Sequence, residues 1–138
     1  MRRLANMLFK RCNTYNPYRL AECMDIDYKY VELDRKMLGL TVFFDNKPII
    51  LINSCLVDSN KRFDVMAHEL SHAICHVDLP LTYGFAVNGR LKLESEADDF
   101  AAHLLTGFYI QEFGRLPHSF GEIQNTFMLD EGAIEYYV

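Results

Sequence analysis

The chain has 138 residues, of which 50% are hydrophobic and 24% are charged, and its formal net charge is −5. This length and composition predict one globular domain, residues 1–138, that buries a core without disulfides or a structural metal. No apolar run is long enough to span a membrane, and the acidic balance argues against direct binding of nucleic acid through a broad basic face.

Two short helices are predicted at the start of the chain. Asn16 followed by Pro17 is typical of an N-cap and a first-turn proline, so one helix is expected to begin there. The other is expected over residues 2–12, where the apolar side chains at helical spacing are Leu4, Met7 and Leu8.

Three segments rich in β-branched and aromatic residues follow and predict a small antiparallel sheet. They lie at residues 28–33, 40–44 and 49–52. The turn sequence Asp-Asn-Lys-Pro at 45–48 joins the last two as a hairpin, with its proline at the start of a strand. The strand at 49–53 is either an edge strand that pairs with an extended substrate or an ordinary core strand.

The next predicted helix, over residues 60–77, carries the motif His68-Glu69-x-x-His72. Histidines four residues apart lie on one face of a helix, so both imidazoles can bind one metal ion, and the glutamate can face a water on that metal. Zinc suits such ligands, and a catalytic zinc site has three protein ligands and one open position. The alternative is a buried helix whose histidines only hydrogen-bond to their neighbours.

A later helix, predicted over residues 92–108, offers acidic candidates for a third ligand. At about 100° per residue, Glu94 lies about 50° from the centre of the apolar face and Glu96 about 110° away. Helical phase therefore favours Glu94, with Glu96 as the alternative. Asp98, one turn on, can orient a metal-bound histidine through its second ring nitrogen. The competing interpretation is that these acids form a solvated helix face.

The intervening residues 79–89 are expected to be irregular because they contain Pro80, Gly84 and Gly89. A further helix is expected near residues 120–128, where apolar residues again recur at helical spacing. The order of a helical start, a small sheet and later helices predicts an α+β domain. In this fold the sheet packs against the motif helix and the second ligand-bearing helix.

Three stretches of the chain carry a joint pattern. They are Ile-Ile-Leu-Ile-Asn at 49–53, His-Glu-Leu-Ser-His-Ala at 68–73 and Glu-Ser-Glu-Ala-Asp-Asp-Phe-Ala-Ala-His-Leu-Leu at 94–105. Together they resemble the ImmA/IrrE metallopeptidase family over roughly residues 15–108. The chain departs from the family pattern at Ser71, where glycine is frequent, and at Thr106-Gly107, where a proline-containing turn is frequent.

The resemblance implies a minimal zincin-like domain with zinc on His68, His72 and a glutamate of the last motif, and with Glu69 catalytic. Both Glu94 and Glu96 occupy family pattern positions, so the resemblance leaves the choice between them open. The implied reaction is peptide hydrolysis, with a polarised scissile carbonyl and Glu69 as the proton carrier.

The substrates that the resemblance implies are helix-turn-helix repressors of phages, mobile elements or stress regulons, which are cut so that transcription resumes. A different class of function is a binding module that sequesters a repressor or an antitoxin-like partner without cutting it. Candidate donors to the oxyanion are Tyr83, His103 and His118. His76 is expected to support or pack the site rather than to be a fourth ligand.

The four cysteines, Cys12, Cys23, Cys55 and Cys75, show no C-x-x-C pair and no regular spacing. Polar residues also interrupt the N-terminal region where a signal peptide needs an apolar core. Both features favour a cytoplasmic protein with reduced thiols. Cys75 is expected to be a small core residue rather than a stray metal ligand.

Overall fold

The computed structural model describes residues 1–75 and 87–137, and the side chains of all of these except residues 87–91. The fold is α+β, as predicted, with a three-stranded sheet and helices packed on it. No helix of the described residues is long and apolar enough to cross a membrane. The elements in chain order are α1 (Arg2–Cys12), α2 (Pro17–Cys23), β1 (Asp27–Val31), β2 (Gly39–Phe44), β3 (Lys47–Asn53), α3 (Lys61–Cys75), α4 (Val87–Phe113), α5 (Phe120–Phe127) and α6 (Ile134–Tyr137), with 3-10 turns at Ser54–Leu56 and Glu131–Ala133.

The sheet has the strand order β1-β3-β2, with β3 in the centre. The hairpin prediction is confirmed, because β2 and β3 pair antiparallel. The prediction of a wholly antiparallel sheet is wrong, because β1 pairs parallel to β3. The hairpin reverses the chain, so β3 returns in the direction of β1 and inserts beside it. The idea that β3 pairs with a substrate is wrong for the same reason, since both of its edges are occupied.

The crossover from β1 to β2 is tied to the end of β3 by one side chain. The side-chain amide nitrogen of Asn53 lies 3.2, 3.3 and 3.1 Å from the carbonyl oxygens of Leu33, Asp34 and Met37, respectively. These three acceptors share its two protons. Asn53 is buried, and a buried amide left without partners costs free energy. These bonds hold the crossover close to the central strand and so fix where β2 begins.

The core lies between the inner face of the sheet and helices α3 and α4. Ile50 and Ile52 of β3 are fully buried, and so are Met66 and Leu70 of α3 and Phe100 of α4. Each such side chain contributes roughly 1.5–3 kcal/mol through burial. Met66 and Leu70 lie one turn apart on α3, so their burial fixes which face of α3 turns toward the core.

Both helices predicted at the start of the chain are present. In α1 the buried side chains are Ala5 and Leu8, whereas Met7 is 60% exposed, so not every apolar residue at helical spacing faces the core. The N-cap prediction for α2 is confirmed, because Asn16 Oδ1 accepts the backbone amide of Tyr18 at 2.9 Å. Pro17 occupies the first helical position.

The prediction of reduced thiols is wrong for one pair, because Cys12 and Cys23 form a disulfide. Cys12 ends α1 and Cys23 ends α2, and the turn between the helices brings their Cα atoms within 6.1 Å, a separation that suits a disulfide. Sequence spacing does not reveal such a pair, since the proximity arises from helix packing. Cys55 and Cys75 are free and exposed, so the core assignment of Cys75 is also wrong.

Helix α4 is longer than predicted at both ends. It begins at Val87, so residues 87–89 are helical and not irregular as expected, and residues 76–86 lie outside the described part of the chain. At the other end α4 continues past the predicted residue 108 to Phe113. Within the helix, a Cβ added at Gly107 would lie 2.6 Å from the ring of Tyr15. Glycine at this position therefore gives the aromatic ring room to pack on the helix backbone.

Candidate metal centre

The two motif histidines of helix α3 lie on one face of the helix, as expected for residues one turn apart. The ring centroids of His68 and His72 are 5.0 Å apart. His72 is buried and His68 is partly buried. The core residues of α3 lie toward the sheet, so the imidazoles project toward α4 instead.

Helix α4 brings one carboxylate between the two imidazoles. Oε2 of Glu94 lies 3.0 Å from Nε2 of His68, and Oε1 of Glu94 lies 2.9 Å from Nε2 of His72. One ligand atom from each of these three residues lies within 4.8 Å of the others. Two imidazole nitrogens and a carboxylate oxygen converging on one small volume are the donor set of a catalytic zinc site. The residues present therefore fit a zinc ion.

Glu96 is not part of this cluster. It lies two residues after Glu94 on α4, so it projects from a different side of the helix, and its charge raises the pKa of the Cys75 thiol as a minor contribution beside burial. In the described structure, Glu94 is the glutamate of this helix that faces both histidines.

Asp98 contacts the imidazole of His68 on the side of the ring away from Glu94. Its Oδ1 lies 2.9 Å from Nδ1 of His68, on the opposite side of the ring from Glu94. A neutral imidazole that donates Nδ1–H to this carboxylate carries its lone pair on Nε2, the atom that faces the cluster. This contact fixes the orientation of the His68 ring and would favour, in the neutral ring, the tautomer that metal binding needs.

The charges of the cluster are strongly coupled in the metal-free protein. Burial lowers the pKa of His68, but hydrogen bonds with Asp98 and Glu94 outweigh burial and raise this pKa to about 10. Hydrogen bonds from His68 and His72 hold the pKa of Glu94 well below its usual range. A protonated His68 therefore faces an ionised Glu94 at neutral pH.

Glu69 points from α3 toward the sheet and is buried. Its Oε1 accepts a hydrogen bond of 2.9 Å from the hydroxyl of Thr41, and its Oε2 lies 4.0 Å from Nε2 of His68. Gly39 lies beside it, and a Cβ at that position would be 3.1 Å from Cγ of Glu69 and 2.5 Å from Cγ1 of Val65. Sequence reasoning missed Thr41 and Gly39, because nothing in a strand's sequence states which helix residue it will contact.

The C-terminal residues contact α4 next to Glu94. The hydroxyl of Tyr136 lies 3.1 Å from Oγ of Ser95, the residue directly after Glu94. A cavity of about 270 Å³ lies between these C-terminal residues and the carboxylates of Asp64 and Asp98. Burial raises the pKa of Asp64 by more than the Lys61 ammonium, 3.0 Å away, lowers it. Carboxyl groups therefore line the side of the cluster behind Asp98.

Two of the candidate oxyanion donors, His103 and His118, are described by the structure and contact other residues than the metal cluster. His103 lies nine residues after Glu94 on α4, and its Nε2 is 3.5 Å from Asp99. His118 is largely exposed, and its Nδ1 lies 3.3 Å from Glu122. Tyr83 and His76 lie outside the described residues.

Comparison with known proteins supplies the family. Residues 21–107 match the peptidase family M78, described as the IrrE N-terminal-like domain. The chain is 33% identical over 100 residues to a protein of Bacillus phage phi105 named uncharacterized immunity region protein 2. This match covers 71% of the chain and 63% of the phage protein, so the chain spans less than two thirds of that relative's length. The chain therefore belongs to the M78 family of metallopeptidases, and the resemblance to ImmA/IrrE proteins is confirmed.

Proposed function

We propose that the protein is a zinc-dependent endopeptidase in which His68, His72 and Glu94 hold the metal and Glu69 is the general base. The observation that carries this proposal is the single carboxylate of Glu94 reaching Nε2 of both histidines, at 3.0 and 2.9 Å. A solvated acidic face would not aim one carboxylate at two imidazoles of another helix. Membership of a metallopeptidase family supports the same interpretation.

When bound, zinc would polarise the scissile carbonyl and make a bound water acidic near neutral pH. Glu69 would accept the proton of that water on Oε2, which lies 4.0 Å from Nε2 of His68, and would deliver it to the leaving amine. Asp98 would keep Nε2 of His68 directed at the metal by accepting Nδ1–H. Glu94 and Asp98 are about half exposed, so the site is open on this side to a polypeptide.

The strand β2 supports a polypeptide substrate. Within the described ranges it pairs with β3 along one edge only, and its Thr41 contacts Glu69. An extended peptide that adds to the free edge of β2 would have its backbone bound by main-chain hydrogen bonds beside the proposed base. The substrate strand would thus lie along β2, and not along β3 as the sequence suggested.

The proposed substrate is a helix-turn-helix repressor of a phage or mobile element. The relative in phage phi105 is named an immunity region protein, which supports a substrate that controls phage gene expression. Cutting such a repressor would relieve repression. Because repressors act on DNA in the cytoplasm, the peptidase is proposed to act there, through the repressor protein and without binding DNA itself.

A second candidate function is anti-repression by binding alone. It is favoured by the name of the phage relative, an immunity region protein, which states no enzymatic activity. A domain of this fold could sequester a repressor without cutting it.

The two candidates are separated by one co-expression experiment. The protein, as wild type or Glu69→Gln, is produced with the repressor encoded beside its gene and a reporter under that repressor. Hydrolysis predicts repressor fragments and derepression with the wild type, and neither with the variant. An intact repressor with equal derepression by both proteins would reject hydrolysis and support binding alone.

A further inference from the structure

We propose that Thr41 is a positioning residue, which holds the carboxylate of Glu69 by one oxygen and leaves the other free for proton transfer. This inference rests on the proposed peptidase function and deepens it. Thr41 lies on β2, 28 residues before Glu69, and does not belong to either motif of the metal cluster.

The contact between the two side chains is short and buried. The hydroxyl of Thr41 lies 2.9 Å from Oε1 of Glu69 and 3.1 Å from its backbone oxygen. A hydroxyl has one proton to donate, and an interior helix carbonyl already accepts the amide four residues on. The hydroxyl therefore donates to the carboxylate, because hydrogen bonds to ionised groups are stronger than those to neutral groups.

The hydrogen bond divides the carboxylate into two oxygens with different surroundings. Oε1 is fixed against β2 by Thr41, whereas Oε2 lies 4.0 Å from Nε2 of His68. A glutamate side chain has three rotatable bonds, so an unfixed carboxylate would sample several orientations. With Oε1 held, the oxygen that faces the metal-binding nitrogens is always the same one.

The approach of β2 to α3 depends on Gly39, two residues before Thr41 and on the same face of the strand. Any Cβ at this position would meet Cγ1 of Val65 at 2.5 Å and Cγ of Glu69 at 3.1 Å. Glycine thus lets the strand come close enough for the hydroxyl to reach the carboxylate. It also leaves the space around Oε2 unfilled.

A merely structural role for Thr41 would be to anchor β2 on α3. Two variants distinguish this role from positioning. Thr41→Val keeps the shape of the side chain and removes the donor, and Thr41→Ser keeps the donor and removes a methyl group. Thr126→Val is the matched control, because Thr126 donates to a helix carbonyl on α5, away from the cluster.

The kinetic test uses the zinc-loaded full chain and the repressor that the wild type cleaves. Positioning predicts that Thr41→Val lowers kcat by about 10- to 100-fold, as expected for a misplaced catalytic group. It also predicts an unchanged KM and an unchanged zinc affinity. Thr41→Ser is expected to keep kcat within about threefold, and Thr126→Val to match the wild type. An unchanged kcat in Thr41→Val, or a loss in Thr41→Ser equal to that in Thr41→Val, would overturn the inference.

A second measurement tests the contact without metal or substrate. The thermal midpoints of Thr41→Val, Glu69→Ala and the double variant are compared in chelator. If the hydrogen bond exists, the double variant loses less than the sum of the single losses, by about 3 °C or more. Additive losses would contradict the inference. A wild type that cleaves nothing, together with a non-additive cycle, would instead reject the peptidase function and leave the contact established.

Discussion

Asp98 places one carboxylate oxygen 2.9 Å from Nδ1 of His68, while Nε2 of the same ring faces Glu94 at 3.0 Å. A single imidazole thus joins two acids that lie one turn apart on α4. This relationship predicts the effect of removing the outer acid. Asp98→Asn should lower zinc affinity by about 10- to 100-fold, the range for a lost hydrogen-bond partner of a metal-bound histidine.

The measurement for Asp98→Asn is competition for zinc against a chromophoric chelator. The matched control is Asp99→Asn on the next residue of α4, whose carboxylate contacts His103 and the N-terminus instead. Equal zinc affinity for Asp98→Asn and the wild type would mean that Asp98 does not orient the ligand.

The choice of third ligand gives a prediction with a built-in control. Glu94→Gln should weaken zinc binding by more than the roughly 10- to 100-fold expected for Asp98, because it removes the charge that faces both histidines. Glu96→Gln, two residues on along the same helix, should leave zinc affinity near that of the wild type. Calorimetric titration of each variant with zinc checks this, and a reversed order would assign the ligand to Glu96.

The metal-free protein should change stability with pH in a direction set by His68. Its folded pKa is raised from 6.5 to about 10, so its stabilising contribution is complete below the unfolded pKa. That contribution is lost as the pH rises through about 10. The pKa of Glu94 is lowered instead from its ordinary value of 4.5, so its contribution is present above that pH and is lost as the pH falls.

Urea unfolding in chelator should therefore show a free energy of unfolding that falls as the pH rises from 7 to 9. The variant His68→Gln should make the free energy of unfolding less dependent on pH over this interval. Zinc binding displaces the proton of His68, so zinc affinity should rise over the same interval and binding should release a proton. Calorimetry in buffers of different ionisation enthalpy counts that proton. A zinc affinity independent of pH would contradict a protonated His68.

Gly39 predicts a steric effect that a second substitution relieves. Gly39→Ala would place a methyl group 2.5 Å from Cγ1 of Val65, so the strand must move from α3, at a cost of about 1–3 kcal/mol. The double variant Gly39→Ala/Val65→Ala should regain part of that loss, because the obstructing methyl is gone. Chemical denaturation of the four proteins measures this, and strictly additive losses would show that the two side chains do not meet.

Helical periodicity explains how much of the cluster the sequence predicts. His68 and His72 share a face because they are four residues apart, and the phase of Glu94 follows from the apolar residues of α4 alone. Both inferences need only the period of one helix. For α1 the same periodicity left the buried face open, because a short helix has few apolar positions; Ala5 and Leu8 are buried and Met7 is exposed.

Contacts between elements far apart in the chain could not be predicted from the sequence. Thr41 meets Glu69 only because β2 packs against α3 in one register, and the disulfide of Cys12 with Cys23 exists only because two helices turn back on each other. The parallel pairing of β1 is similar, since it depends on β3 inserting between two strands. Such pairings are set by the burial of a whole core and not by local pattern.

The most direct test of the peptidase assignment is mass spectrometry of a purified repressor after incubation with the purified protein. The repressor is the one encoded beside this protein's gene, and the reaction contains zinc. The wild type should yield two fragments whose masses sum to that of the intact repressor plus one water, and Glu69→Gln should yield none. An intact repressor in the presence of zinc-loaded, folded wild-type protein would contradict the account.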